Sequence, residues 1–345
     1  MPFEPTERVS VGRTGLSVTR LGFGAASIGG VFDAIDERTG LATIDHAWEL
    51  GVRYFDVAPL YGYGTAERRL GLSLADRPRG EFVLSTKVGR LVRRVEEIEP
   101  GADIDRNAFG DRRDADRTED TGLRVVFDFS RDGILRSIDE SLDRLGLDRI
   151  DIVFLHDPDD HWEPAIREAY PTLHRLREDG VIRAIGAGMN QSKMLTRFAR
   201  EGDFDVFLVA GRYTLLDQDA LTELLPTCVE RNVAVVIGGV MNSGILASPG
   251  HGARFNYKPA PPDIVDRARL IAAVCDRHGI PLKAAAIQFP LAHPAVASVV
   301  AGVGRIEHLD DYPAAMRQVI PGGLWAELRH EGLLAPDAPV PNGTT

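Results

Sequence analysis

Short apolar runs rich in β-branched residues alternate with amphipathic stretches of helical spacing along almost the whole of this 345-residue chain. The runs Val18–Gly24, Val52–Asp56, Phe82–Lys87, Ile150–His156, Ile182–Gly186, Val206–Val209, Ala234–Ile237 and Val296–Ala301 read as strands. Helical patterns between them are read at Thr39–Leu50, Ala66–Ala75, Arg131–Leu145, Ala165–Asp179, Ser192–Glu201 and Ala220–Arg231, then at Pro262–His278 and Leu282–Leu291. Strands that are apolar throughout, each followed by a helix, belong in a parallel sheet covered on both faces. Eight of them in one chain predict an α/β fold, a (β/α)8 barrel. No linker-like break divides the chain, so residues 1–345 are expected to form one domain with a core from about Thr14 to Leu334. The remainder, 335–345, is expected to be a disordered tail.

Two segments break the rhythm. Residues 90–122 are dense in alternating Arg, Asp and Glu with few apolar positions; they lie after the third strand, where an active-site loop of a barrel belongs, and are expected to be such a loop, mobile without ligand, or a plain surface loop. Residues 248–262 are rich in Gly and Pro, follow the seventh strand, and are expected to form a lid or a plain surface loop.

A net charge of −11 argues against nucleic acid or an anionic membrane as partner. No run approaches the roughly 20 apolar residues of a membrane span, and the first residues lack the apolar core of a signal peptide. Two cysteines, Cys228 and Cys275, rule out a disulfide framework and point to the cytoplasm. No metal-ligand spacing, phosphate-binding P-loop or nucleophile elbow is visible. The Gly22-Phe23-Gly24 segment is a poor match to a dinucleotide-binding glycine loop.

The polar residues fall in telling places. Asp56 ends the second strand, Lys87 the third and His156 the fourth, and Asn190 follows the fifth. Taken singly, a strand-end Asp commonly caps a turn and a strand-end Lys is commonly solvated. A barrel brings its carboxyl strand ends to one mouth, so together these residues are expected to meet there.

The segments FDVAPLYG (55–62), STK (85–87), SLDRLGLDRIDI (141–152) and LH (155–156) resemble the signature segments of the aldo-keto reductases, a likeness that runs from about Thr14 to Leu334. That resemblance implies hydride transfer between a nicotinamide cofactor, NAD or NADP, and a carbon bearing oxygen. Tyr61 would exchange the proton, supported by Asp56, Lys87 and His156. A free phenol has a pKa of about 10, and a neighbouring ammonium such as Lys87 is expected to lower it. Asp56 would pair with Lys87, and His156 would orient the substrate oxygen. For the cofactor, the resemblance implies contacts from Gly24, Ala25, Asp56, Asn190, Gly238, Gly244 and Leu246, with Asn190 on the nicotinamide amide. The adenosine-phosphate end would use Gly302, Gly304, Arg305 and His308. Ala210 stands where the family has Gln, and Gly238-Gly239 where it has a Tyr that stacks on the nicotinamide. The acidic neighbours Glu307, Asp310 and Asp311 tilt the expectation toward NAD.

Within the family, the segments at 62–71, 127–134, 155–160, 210–218 and 238–246 look most like the aldose 1-dehydrogenase branch, which oxidises L-fucose, D-arabinose or L-galactose to lactones. A pyridoxal dehydrogenase or general aldehyde reductase is the alternative enzyme, and a cofactor-binding redox sensor the alternative outside enzymes. The partner implied is a small sugar or aldehyde. Trp162, Phe127 and Tyr257 are candidates to line its pocket, although single aromatics are more often packing residues.

Overall fold

The computed structural model describes residues 2–31, 33–106, 122–250 and 252–341. Eight parallel strands close into a barrel: β1 (Leu21–Gly24), β2 (Tyr54–Asp56), β3 (Val83–Val88), β4 (Ile152–His156), β5 (Ala184–Met189), β6 (Val206–Ala210), β7 (Ala234–Gly238) and β8 (Val296–Gly302). Each pairs with the next in chain order, and β8 returns to β1 through Val299–Leu21 and Gly302–Gly24. The helices α1 (Glu37–Glu49), α2 (Thr65–Leu74), α3 (Arg131–Leu145), α4 (Tyr170–Glu178), α5 (Lys193–Glu201), α6 (Leu224–Arg231), α7 (Pro262–Arg277) and α8 (Leu282–Leu291) occupy the connections. Two more, α9 (Ile306–Arg317) and α10 (Gly322–His330), follow β8. This is the barrel that the alternating pattern predicts.

Side chains along a strand alternate between barrel interior and helix layer. Phe55, Leu84, Val153, Ile185 and Val235 pack outward in the main core, whereas Tyr54, Val83, Ile152, Phe154, Val206, Leu208, Val236 and Val300 fill the interior. An amino-terminal hairpin (Arg8–Ser10 with Ser17–Thr19) closes the lower end, adding Val11, Leu16 and Val18 to that interior cluster. Continuing the two-residue period upward from this apolar filling gives the top layer: Asp56 above Tyr54, Lys87 above Ser85, His156 above Phe154. On the other side the same layer is Gly188, Ala210, Gly238, Gly302 and Gly24, cross-registered as His156–Gly188, Ala210–Gly238 and Gly302–Gly24. Half of the mouth is therefore polar, and half carries almost no side chain.

Helix ends follow local chemistry. The Asp36 carboxylate accepts from Thr39 N at 2.9 Å to start α1, and Ser130 accepts from Gly133 N to start α3. Gly146, at φ 63°, ends α3 in the left-handed region.

Four expectations need correction. The first strand is not continuous from Val18 to Gly24. Thr19 Oγ1 donates to Leu21 O while Arg20 N and Leu21 N donate to Glu7 O and Pro5 O, which sends Ser17–Thr19 into the hairpin and starts β1 at Leu21. The helix expected over Ala165–Asp179 opens into a wide π turn at Ala165–Ala169 before α4. Pro171 cannot donate there, so the turn preceding it relaxes. The charged segment is not a featureless loop, because Arg90–Arg94 pairs antiparallel with Leu123–Phe127 over five residues, and Ile104 bridges Val126. Its remainder, 107–121, lies outside the described residues. The tail is packed as far as Pro341: Ala338 is fully buried and its carbonyl accepts from Arg329 at 2.7 Å, while 342–345 lie outside the described residues. No helix among the described residues is long and apolar enough to cross a membrane.

Candidate active site

Asp56, Lys87 and His156 sit in the polar half of the top layer, almost completely buried. Lys87 Nζ donates to Asp56 Oδ2 at 2.6 Å and to Val57 O at 3.0 Å. Asp56 Oδ1 in turn accepts from Ser85 Oγ at 2.8 Å, and the Tyr54 hydroxyl lies 3.1 Å from that same Oγ. Burial on its own would lower the Lys87 pKa, but the charge of Asp56, then Tyr61, and hydrogen bonds to both leave it raised. The ammonium is thus held charged and fixed in direction.

Tyr61 arrives from the β2–α2 loop. Its backbone N–H closes a turn on Ala58 O, and its carbonyl accepts from Ala66 N at the start of α2. The half-buried ring lies with its centroid 4.7 Å from Lys87 Nζ and 6.1 Å from the His156 ring, nearly perpendicular to it. The four candidates for proton chemistry are therefore gathered in one place. Lys87 lowers the phenol's pKa as expected, but the net shift is upward. The dense surroundings of the phenol raise its pKa, Lys87 opposes that shift without overcoming it, and Asp56 adds to it. The phenol form dominates at neutral pH. Burial, then Arg90 and Lys87, press the His156 pKa well below its usual value, leaving a neutral imidazole. Its Nδ1 is buried with no hydrogen-bond partner among the described residues.

Beside this group lies a second set of polar residues. Asn190 Nδ2 donates to Asp157 Oδ1 at 3.4 Å, and its Oδ1 accepts from the Tyr257 hydroxyl at 3.3 Å. Arg212 Nε donates to the Asn190 carbonyl at 2.8 Å and its Nη1 to Asp217 at 2.9 Å and Asn256 at 3.1 Å. Arg90, from the charged hairpin, pairs with Asp157 at 3.3 Å and Asp105 at 3.6 Å. Burial raises the Asp157 pKa, against the pull of Arg90. Tyr257 and Asn256 form the tip of a short hairpin (Arg254–Phe255 with Lys258–Pro259), so the Gly- and Pro-rich segment reaches the mouth as a lid would. Phe127 also stands near, 4.4 Å from the His161 ring and beneath Arg90. Trp162 does not join them; it packs on Phe198 at 4.7 Å under the Arg197 guanidinium. Sequence reading missed Arg90, Asp157 and Arg212 as site residues. Arg90 was hidden in a run of like residues, whereas Asp157 adjoins His156 and Arg212 follows Ala210-Gly211, signals that were available.

The side-chain-free half of the mouth suits a flat ring. A Cβ on Gly238 would lie 3.2 Å from Leu208 and 3.6 Å from Ala210, and one on Gly239 would lie 3.3 Å from Gly211 N. With Asn190 at its edge and His156 beside it through the His156–Gly188 register, this floor fits a nicotinamide. Gly24 and Ala25 adjoin it at the end of β1, Ala25 N donating to Asp56 O at 2.8 Å. Gly244 lies in the turn after β7 at φ 98°, and Leu246 is fully buried in the core. Gly302 ends β8 at the mouth, and Gly304, Arg305 and His308 lead away from it into α9, with Arg305 at its amino-terminal cap. A cleft of about 420 Å³ opens there between the first turns of α1 and α9, lined by Asp36, Arg38, Thr39, Arg305, Ile306 and Glu307. Arg38, which the charge count of the loop alone omitted, joins Arg305 across it.

The carboxyl end of the eight-stranded barrel thus carries an ammonium ion-paired beneath a phenol, next to a floor open to a flat ring. The Aldo/keto reductase family matches residues 20–329, and the chain belongs to that family as an NAD(P)-dependent oxidoreductase. The chain is 46% identical over 324 residues to a D-threo-aldose 1-dehydrogenase of Pseudomonas sp, covering 93% of this chain and 96% of that protein. It is 39% identical to a pyridoxal 4-dehydrogenase of Microbacterium luteolum, over 97% and 100% of the two chains. Among solved structures, the holo form of aldo-keto reductase AKR11C1 from Bacillus halodurans superposes with a TM-score of 0.73 at 26% identity, over 98% of each chain.

Proposed function

We propose that this enzyme oxidises the anomeric carbon of an aldose of the L-fucose, D-arabinose or L-galactose type to its lactone, with NAD as the favoured cofactor. The observation that carries the reading is the buried Lys87–Asp56 pair set 4.7 Å beneath the Tyr61 ring. The similarity to a protein named for aldose oxidation supports the substrate class.

The bound nicotinamide supplies the acceptor for the hydride that leaves the anomeric carbon. The chain's own residues handle everything else. Tyr61 takes the proton of the anomeric hydroxyl in oxidation and returns it in reduction. Lys87 acts on Tyr61 through its fixed positive charge, which favours the phenolate that oxidation needs. Asp56, oriented by Ser85, keeps the ammonium in place, since an unpaired buried charge is costly. His156, neutral, can hold the substrate oxygen by a hydrogen bond without competing for its proton. Asn190 would hold the nicotinamide amide, with Gly24, Ala25, Gly238 and Gly244 around the ring. Gly302, Gly304, Arg305 and His308 would hold the phosphate end, with Arg38 beside them. With the floor open at Ala210 and Gly238-Gly239, Tyr257, at the lid tip beside Asn190, is an aromatic that could cover the ring.

The test is NADH and NADPH formation with L-fucose, D-arabinose, L-galactose and pyridoxal, each with both dinucleotides. The reading expects the aldoses to exceed pyridoxal in kcat/KM, and NAD to exceed NADP. Pyridoxal turnover far above every aldose would move the substrate to the vitamin B6 aldehyde, the reading that the second relative favours.

A further inference from the structure

Asp157 follows His156 directly, yet both face the mouth. In an extended strand, consecutive side chains point to opposite faces, so Asp157 would be expected among the outer helices. It does not go there because its φ is +41°, a left-handed conformation that Asp and Asn accept more readily than other side chains. The kink is secured by its own N–H, which donates to Gly188 O at 3.0 Å. The carboxylate is thereby brought between Arg90, at 3.3 Å from Oδ2, and Asn190, at 3.4 Å from Oδ1.

This contact decides which way the Asn190 amide points. A carboxylate accepts hydrogen bonds and cannot donate them, so only the amide nitrogen can face it. The amide oxygen is then turned the other way, where it accepts from the Tyr257 hydroxyl at 3.3 Å. Arg212 fixes the same residue from the backbone side through its carbonyl. Arg90, itself shared with Asp105, keeps the carboxylate from rotating away.

We propose that Asp157 is a positioning residue for the cofactor: it orients the Asn190 amide so that its oxygen, an acceptor, faces the mouth and is offered to the amide N–H of a nicotinamide. The Tyr257 hydroxyl takes that oxygen in the chain alone and yields it when the dinucleotide binds. The inference rests on the reading that Asn190 holds the nicotinamide amide.

The experiment is NADH binding, followed by fluorescence, to the full chain and to Asp157→Asn, Asn190→Ala and the double variant. Asn keeps the volume and the left-handed backbone of Asp157 but offers either an oxygen or a nitrogen to Asn190, so it no longer dictates the amide's direction. Asp157→Gly, which accepts the same φ, serves as a second removal of the carboxylate. Expected are about tenfold weaker NADH binding in Asp157→Asn and in Asp157→Gly, and at least as large a loss in Asn190→Ala. In the Asn190→Ala background, Asp157→Asn should cost less than about twofold, because its effect passes through the missing amide. A purely structural role for Asp157 would instead give losses that multiply in full in the double variant, which overturns the inference. Unchanged binding in Asp157→Asn beside weakened binding in Asn190→Ala also overturns it, and leaves Asn190 as the nicotinamide contact. Unchanged binding in Asn190→Ala overturns that contact, and this inference with it.

Discussion

Lys87 Nζ and Asp56 Oδ2 lie 2.6 Å apart in the top layer of the barrel, both side chains within a few per cent of complete burial. Removing one partner leaves the other charge without compensation. Lys87→Met is therefore expected to destabilise the fold by about 3–5 kcal/mol, and Asp56→Asn combined with Lys87→Met to recover part of that loss. Denaturant unfolding of the three proteins measures this. Equal stability of Lys87→Met and the native chain would show that the pair carries no such burden.

The pH profile follows from the raised Tyr61 pKa. Oxidation needs the phenolate and reduction the phenol. With the phenol form dominant at neutral pH, kcat/KM for oxidation should climb roughly tenfold per unit from about pH 7 to 9, while reduction stays nearly flat. Because Lys87 pulls the phenol's pKa down, residual oxidation by Lys87→Met should rise at higher pH than in the native enzyme. An oxidation profile already level by pH 7 would mean that the ammonium outweighs burial in the working enzyme.

Most of what positions the site was legible because strand residues alternate with a period of two, and Val83, Ser85 and Lys87 or Ile152, Phe154 and His156 carry that period to the strand end. Tyr61 was legible through the segment around it, although the sequence could not say that burial would raise its pKa. Asp157 was not legible, since a left-handed turn at a non-glycine residue leaves no periodic signature. Arg90–Arg94 and Leu123–Phe127 pair as a ribbon, but their Arg-rich composition reads as a solvated loop. Arg254–Phe255 is too short for any period to show. The tail packs through single apolar residues such as Ala338, which no pattern distinguishes from a disordered end.

Acid sensitivity has a second, separate source in His293. Burial lowers its pKa from 6.5 to about 4, and its Nδ1 accepts from Ala295 N at 3.2 Å. The unfolded chain takes up a proton below about pH 6.5 that the folded chain refuses until about pH 4, so stability falls as the pH drops through that window. The loss from this group at pH 5 is about 2 kcal/mol. His293→Asn, which keeps an acceptor for Ala295, should narrow the stability difference between pH 7 and pH 5 by about that amount. The same difference in variant and native chain would contradict a buried neutral imidazole.

The proton exchange depends on Tyr61, and the most direct measurement compares turnover with cofactor binding in Tyr61→Phe. Losing the hydroxyl while keeping the ring should reduce kcat for aldose oxidation by about 10²–10⁴-fold, with the dissociation constant for NADH within about twofold of the native value. Turnover at the native rate in Tyr61→Phe would contradict the assignment of the proton to this residue.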